Sequence, residues 1–383
     1  MYVIGYLLTI LLPIVSIPFS FIMIPFDYKN RKHYMIQNSV GLAFFAYCWN
    51  PSKTADLYVW QQISSQLSTL DFKSFFQYMI SGSEPLNNLL KYIAGLTGNY
   101  ALLQFIVVLI GFLLLNNLIY HVYRDTGKDK PLSFFVIYAF LLASLLYVHF
   151  ISGLFYMLAA IVFANGVYYI YNNKKILGIV LTLASFLIHS SMAFPILLFI
   201  IFYLSKSKLK IKNIILYIIL ALSIGYIIPA LLTYLNHPIF SDIKAMYDGY
   251  FLNDRYNAIN SGLFFWFNLI SLFPIIYLLI FGKKDFNSMS KYGVVIILSS
   301  VLIYHMAPVF FRFIYLGHML LSFSYFEYAN NTSAIKTNRR IFFVVLMGTI
   351  LLESIVQIRL LNSINFISII TDNLVKTIFS LIR

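Results

Sequence analysis

The sequence predicts an all-α fold, that of a polytopic helical membrane protein with about twelve transmembrane helices. Of its 383 residues, 61% are hydrophobic and only 10% are charged. The mean hydropathy is +0.83, and apolar stretches of about 18 or more residues recur from end to end. A soluble protein would need more polar surface, and a membrane β-barrel would show short alternating segments. We therefore expect residues 1–383 to form a single integral membrane domain.

The apolar stretches divide the chain into predicted spans. In chain order these are 2–26, 34–50, 100–122, 131–149, 153–171, 176–189, 190–204, 213–235, 263–281, 292–307, 308–327 and 341–360. The first stretch has no basic region before it and no A-x-A cleavage site, which predicts a retained span rather than a signal peptide. Cys48 is the only cysteine, so the sequence excludes an internal disulfide and a cysteine-based metal site.

The basic residues predict the orientation of the chain. Eighteen of the 27 Lys and Arg residues fall in one alternate set of short loops, namely 27–33, 124–130, 172–175, 205–212, 282–291 and 330–340. By the positive-inside rule these loops are cytoplasmic, which places both termini on the outer side of the cytoplasmic (inner) membrane. Topology also accounts for the formal net charge of +14, so we expect membrane lipids as neighbours and no nucleic-acid partner.

One apolar stretch, residues 176–204, has lysines on both sides. If both lysine-rich loops are cytoplasmic, this stretch is a hairpin that turns near "IHSSM" (188–192). Each helix of the hairpin would be short for a bilayer of about 30 Å. Such short helices are tolerable where their turn opens into a recessed external cavity.

Two long segments, 51–99 and 236–262, are predicted to lie outside the membrane, and they hold six of the 13 acidic residues. The first is predicted to form two helices on the membrane surface with the apolar face down. The residues at helical spacing are Trp60, Ile63, Leu67 and Leu70, then Leu86, Leu89, Leu90 and Ile93. The C-terminal segment 362–383 carries one polar stripe, which favours an interfacial helix over a further span.

The sequence contains no motif of a soluble enzyme. There is no Walker loop, no G-x-S-x-G, no H-E-x-x-H and no dinucleotide fingerprint. We therefore expect no cofactor, and no carboxylate cluster is a clear candidate for a metal site. The candidates for chemistry are polar residues near the outer membrane face.

The run "YHMAPVFFRFIYLGH" (304–318) contains a charge within an apolar stretch. Arg312 would share a helix face with Tyr315, about one turn into the bilayer, and His305 precedes the turn marked by Pro308. A charge at this depth is costly unless it is paired or hydrated. An arginine facing an external cavity suits a phosphate or diphosphate headgroup. The alternative is an arginine that snorkels to the interface.

Three further residues are candidates for acid–base work. His189 lies at the predicted hairpin turn, where it could act as a base or contact a sugar or phosphate. The alternative is a turn histidine capped by its neighbouring serines. Asp56 and Glu84 flank the external helix pair, and either carboxylate could accept the proton of a sugar hydroxyl. For Glu84 the alternative is electrostatics at the start of a helix, with Ser83 as N-cap; for Asp56 it is a solvated loop acid.

The run "MYDGYFLNDRYNA" (246–258) is rich in tyrosine, asparagine and acids. Aromatic rings beside such polar groups suit carbohydrate, which predicts substrate contacts from Asp254, Arg255 and Tyr256. The same composition is also typical of an ordinary wet loop beside a membrane.

These motifs occur in an order that resembles the EpsG group of Wzy-like polysaccharide polymerases. The order is an external aspartate with tyrosine after the second span, "EPLNNLL", an alanine and isoleucine in a later span, "LIHSS" and "FRFIY". The resemblance extends over roughly residues 40–320. One departure is the segment "ISGLFYMLAAI" (151–161), which lacks an arginine that the family commonly has there. Another cation, such as Arg255, could replace it, or the substrate is contacted differently.

The resemblance implies a C-type glycosyltransferase that acts outside the cytoplasm in exopolysaccharide, capsule or O-antigen synthesis. It would transfer a glycan from undecaprenyl diphosphate to the sugar end of another lipid-linked repeat unit, without a metal. By motif position Asp56, Glu84 and His189 would be catalytic, and Arg312 would hold the diphosphate with help from Arg255. A chain-length regulator and a flippase are the protein partners to be expected.

Two other functions remain open from the sequence. A transporter or flippase of lipid-linked oligosaccharide would require several charges along a central path, and most predicted spans are uncharged. A membrane O-acyltransferase that modifies polysaccharide would require a catalytic histidine near its donor.

Overall fold

The structure is a computed structural model that describes residues 1–49, 51, 56–82, 84–127, 130–145, 147–205, 211–223, 269–282, 286–302, 307–330 and 336–363. Helices and connecting turns account for this part of the chain, and no β-strand occurs in it. The predicted all-α class is confirmed. The chain divides into two compact units, Met1–Ala193 with Ser354–Arg383, and Phe194–Glu353.

The described part of the first unit contains eleven complete α-helices, together with the end of the helix Lys336–Ser363. They are α1 (Tyr2–Leu11), α2 (Pro13–Phe26), α3 (Arg31–Tyr47), α4 (Asp56–Leu67), α5 (Phe72–Ser81), α6 (Pro85–Leu96), α7 (Ala101–Asp125), α8 (Pro131–Ser144), α9 (Tyr147–Ser152), α10 (Leu154–Tyr171) and α11 (Lys175–Ile188). From Ala193 onward the described helices are α12 (Ala193–Leu204), α13 (Ile211–Leu222), α14 (Phe273–Phe281), α15 (Ser288–Leu302), α16 (Ala307–Asn330) and α17 (Lys336–Ser363).

Several helices are apolar enough to belong in a bilayer. Within the part of the chain that the structure describes, three of them are also long enough to cross it, namely Ala101–Asp125, Leu154–Tyr171 and Lys336–Ile358. Shorter apolar helices are Tyr2–Leu11, Pro13–Phe26, Pro131–Ser144, Lys175–Ile188, Ser190–Leu204 and Ser288–Leu302. This pattern supports a helical membrane protein, whereas the number of about twelve spans stays a prediction.

Most helix positions agree with the predicted spans, and two spans are interrupted. The predicted span 2–26 breaks between α1 and α2 at Leu12, directly before Pro13, whose missing N–H favours a helix start. The predicted span 131–149 ends with α8 at Ser144 and is followed by the short α9. The external segment 236–262 and most of the C-terminal segment 362–383 lie outside the described residues.

The segment predicted as two surface helices contains three. The additional helix, α5, begins after Asp71, whose carboxylate accepts a hydrogen bond from the backbone N–H of Ser74 at 3.3 Å. This N-cap marks the start of a helix that the sequence analysis did not predict. Phe75 of α5 stacks on Tyr92 of α6 with 3.8 Å between the ring centroids, and both side chains are buried together with Leu67 of α4. The three helices therefore share a small core.

Glycines allow two helix pairs to approach closely. A Cβ at Gly178 of α11 would lie 2.7 Å from the carbonyl oxygen of Gly166 in α10, and one at Gly166 would lie 2.9 Å from that of Gly178. A Cβ at Gly95 of α6 would meet the carbonyl oxygen of Ser64 in α4. Small residues at helix crossings let backbones pack directly. These contacts fix α6 against α4, and the start of α11 against the end of α10.

Candidate active site

The candidate active site is built around the polar face of α6. Glu84, Asn87, Asn88 and Lys91 stand at spacings of three and four residues, so they share one face of the helix. Asn87, Asn88 and Lys91 are only 1%, 8% and 3% exposed, whereas Ile93 on the apolar side is 43% exposed. The prediction of a surface helix was incomplete, because the polar face of α6 packs inside the protein.

Glu84 joins the start of α6 to the end of α11. Its Oε1 accepts hydrogen bonds from the backbone N–H and the Oγ of Ser190, at 3.0 and 3.1 Å. Its Oε2 accepts one from Nδ2 of Asn87 at 2.7 Å. Glu84 occupies the N-cap position of α6, before Pro85, but its side chain makes no capping hydrogen bond. Helix capping with Ser83 as the N-cap therefore does not account for the carboxylate, which binds a turn 106 residues away.

His189 is the second member of this cluster and lies at the turn that was predicted for 188–192. It follows the last residue of α11, and a short 3₁₀ turn begins after it. Its Nδ1 accepts a hydrogen bond from the backbone N–H of Ser191 at 3.2 Å and lies 3.5 Å from Oε1 of Glu84. The ring of Tyr156 in α10 packs edge-on against the imidazole. Because Nδ1 accepts the amide hydrogen bond, a neutral His189 carries its proton on Nε2.

Lys91 places a cation in the same cluster. Its Nζ lies 3.9 Å from the ring centroid of Trp60 in α4 and 5.2 Å from that of Phe155 in α10. Burial lowers the pKa of the ammonium from its ordinary value of 10.5 to about 8, although the attraction of Glu84 acts in the opposite direction. The desolvation of the charge therefore outweighs that attraction.

The structure brings together two of the three predicted catalytic residues. Glu84 and His189 form a close pair whose side chains are 20% and 17% exposed. Asp56 is exposed at the first residue of α4, and no hydrogen bond or ion pair among the described residues joins it to either of them. The local geometry thus distinguishes Glu84 from Asp56, whereas the sequence left the two carboxylates as alternatives.

The predicted substrate-binding residues belong to other parts of the chain. Arg312 and Tyr315 lie on α16 of the second unit, where Arg312 is half-buried and Tyr315 is 1% exposed. His305 and the trio Asp254, Arg255 and Tyr256 lie outside the described residues. These assignments stay predictions.

Sequence reasoning missed Lys91 and Asn87. The signal was present, because four polar residues recur along one face of "EPLNNLLK" (84–91), but such a face ordinarily contacts water. Lys91 also lies beside the segment 151–161, which lacks the arginine that the family commonly has there. Its ammonium contacts Phe155 of that segment, so among the described residues Lys91 supplies a cation there, whereas Arg255 lies outside them.

The arrangement offers groups that are suited to proton transfer. A carboxylate offers about four acceptor positions, and three of those on Glu84 are taken by Ser190 and Asn87. The remaining position can accept a hydrogen bond from a hydroxyl group. No group of three or more His, Cys, Asp or Glu side chains that could hold a metal occurs among the described residues.

Comparison with known proteins supplies the wider context of this site. No curated protein and no solved structure gives a significant match to the chain. The model of the EpsG family matches residues 43–368, which include α6, the turn after α11 and all of the predicted site residues. Since this match covers most of the sequence, and the paired Glu84 and His189 lie within it, the protein belongs to the EpsG family.

Proposed function

We propose that this protein is a polymerase of lipid-linked oligosaccharide repeat units, and that Glu84 and His189 belong to its active site. EpsG membership supports a role in polysaccharide polymerisation in broad terms. The observation that carries the site assignment is the partly buried contact of Glu84 with His189 and Ser190, made between helices that are distant in sequence. The proposed substrate is an oligosaccharide on undecaprenyl diphosphate.

The proposed reaction is a glycosyl transfer in which Glu84 acts as the base. A sugar hydroxyl of the acceptor repeat unit donates a hydrogen bond to the open acceptor position on Glu84. Its oxygen forms a bond to C1 of the donor sugar, and the bond from C1 to the diphosphate oxygen breaks. The electron pair leaves with the polyprenyl diphosphate, and the hydroxyl proton passes to the carboxylate. Nδ1 of His189 lies 3.5 Å from Oε1 of Glu84. When His189 is protonated, its positive charge attracts the ionised carboxylate.

We also propose where the enzyme acts and which proteins act with it. The enzyme would act on the outer face of the cytoplasmic membrane, with both chain termini on that side, as the distribution of basic residues predicts. Arg312 and Arg255 remain candidates for contacts with the diphosphate. A flippase would supply the substrate from the inner leaflet, and a chain-length regulator would act on the product. The pathway is one of exopolysaccharide, capsule or O-antigen synthesis.

The test is the glycan made by a strain from which the gene has been deleted. We expect single repeat units exposed on the outer surface in place of long chains, because export continues while joining stops. Reintroducing the wild-type gene should restore the long chains. The chain length of extracted glycans, together with their accessibility to an added glycosidase, measures both properties.

Two other results would contradict the proposal. Repeat units trapped on the inner leaflet would indicate a flippase, since translocation would then have failed. Full-length polymer that lacks acyl groups would indicate an O-acyltransferase.

A further inference from the structure

The first observation concerns the charge on Lys91. Its side chain is buried, and among the described residues its ammonium makes contacts to aromatic rings but no hydrogen bond or ion pair. The nearest acid on the same helix, Glu84, stands seven residues away, about 10 Å along the axis, and both of its oxygens are engaged by other groups. Buried charges are normally paired, so the cluster has one cation without a contacting anion.

The second observation concerns Asn87, which lies on the same helix face between Glu84 and Lys91. Since a carboxylate can only accept, the amide group that faces Oε2 of Glu84 must be the NH₂ donor. This fixes Oδ1 of Asn87 as the other end of the amide. That oxygen is buried and has no hydrogen-bond partner among the described residues. A buried acceptor of this kind requires a donor.

We propose that Lys91 binds a phosphate group of the glycosyl diphosphate donor, while Oδ1 of Asn87 accepts a hydrogen bond from a hydroxyl of the attached sugar. The proposal rests on the function proposed above and extends it. A glycosyl diphosphate offers both an anion and hydroxyl donors, which are the two groups that the face of α6 lacks. The base, the sugar contact and the phosphate contact then follow one another along this helix.

The aromatic surroundings of Lys91 suit a binding role. Trp60 and Phe155 hold the ammonium by cation–π attraction and pack edge to face with each other, with their ring centroids 5.8 Å apart. Neither ring neutralises the charge, so the ammonium keeps its attraction for an anion while its position is fixed. A lysine acts on phosphate as a compact point charge, which requires no second fixed contact.

The experiment measures binding by the purified full-length protein in lipid nanodiscs, with undecaprenyl diphosphate and inorganic pyrophosphate as separate probes. The variants are Lys91→Met, which keeps the apolar stem without the charge, and Lys91→Arg, which keeps the charge. The control is Lys174→Met, because Lys174 also lies against a ring, that of Tyr169, but is exposed. We expect Lys91→Met to bind at least about tenfold more weakly, and the other two variants to stay within about threefold of wild type.

The results show whether the anion must be carried by a lipid, and they decide whether the proposal holds. Loss with both probes, or with the lipid probe alone, supports the proposal and shows whether the headgroup suffices for binding. Wild-type affinity of Lys91→Met for both probes would overturn it, as would an equal loss in Lys174→Met. If the deletion strain loses long chains while Lys91→Met binds normally, only this inference fails. If binding depends on Lys91 while the deletion strain keeps long chains, only the proposed polymerase function fails.

Discussion

At the scale of single residues, the position of Glu84 in the sequence is a poor guide to its contacts. A glutamate before a proline at the start of a helix ordinarily stabilises the helix terminus, by about 0.3–1 kcal/mol. Here the side chain makes no capping hydrogen bond and reaches across to Ser190 at the end of α11. Glu84 therefore connects two helices and fixes the position of His189 beside its own carboxylate.

Lys91 has a measurable consequence for stability. Its pKa is about 8 in the folded protein and about 10.5 in the unfolded chain. Below pH 8 the side chain is charged in both states, and its buried charge lowers the free energy of unfolding. Between pH 8 and 10.5 the unfolded chain binds more protons at Lys91 than the folded protein does. The free energy of unfolding therefore rises with pH over this range. Glu84 is the charged neighbour that acts on Lys91, and its attraction does not offset the burial.

We therefore predict that Lys91→Met unfolds at a higher temperature than wild type below pH 8. The difference in the free energy of unfolding between Lys91→Met and wild type is on the order of 3 kcal/mol, and it should decrease as the pH rises toward 10.5. Thermal unfolding in detergent micelles across this pH range is the measurement, with the exposed Lys174→Met as control. A lower melting temperature for Lys91→Met at pH 7 would show that the ammonium is a structural element rather than a strained binding group.

At the scale of helices, the crossing of α4 and α6 determines where Trp60 meets Lys91. Gly95 lies at this crossing, and a Cβ there would meet the backbone of α4. We predict that Gly95→Ala destabilises the protein by about 1–3 kcal/mol, because α4 must move. The matched control is Gly348→Ala in α17, where no atom from outside the surrounding turns of the same helix lies within 4 Å of the added Cβ. The measurement is the melting temperature of each variant. Equal values would show that the close crossing of α4 and α6 at Gly95 does not contribute to stability.

The same helices show what the sequence could predict. The turn at residues 188–192 followed from the lysines on both sides of an apolar stretch, and most helices from hydrophobicity. The additional helix α5 was missed, although two signals were present: Asp71 is a recognisable N-cap, and the apolar residues of "FKSFFQYMIS" (72–81) recur at helical spacing, at Phe72, Phe75, Phe76, Met79 and Ile80. The burial of Lys91 could not be predicted, because Trp60 and Phe155 come from other helices and only tertiary packing brings them to it.

At the scale of the whole molecule, the candidate site residues are divided between the two compact units of the chain. The paired Glu84 and His189, and the helices that carry them, belong to the first compact unit, and Arg312 belongs to the second. The first unit thus contains a carboxylate, a histidine and a cation of its own. We infer that this unit contains the essential proton-transfer chemistry.

The most direct test is polymerisation in vitro by the purified chain in lipid nanodiscs, with lipid-linked repeat units as the only substrate. The variants are Glu84→Gln, which removes the base, and Asp71→Asn, a control acid that is exposed at the start of α5. The account predicts a ladder of chain lengths for wild type and Asp71→Asn, and a rate at least about 100-fold lower for Glu84→Gln with its fold retained. A wild-type ladder from Glu84→Gln, or no ladder from the wild-type protein, would contradict it.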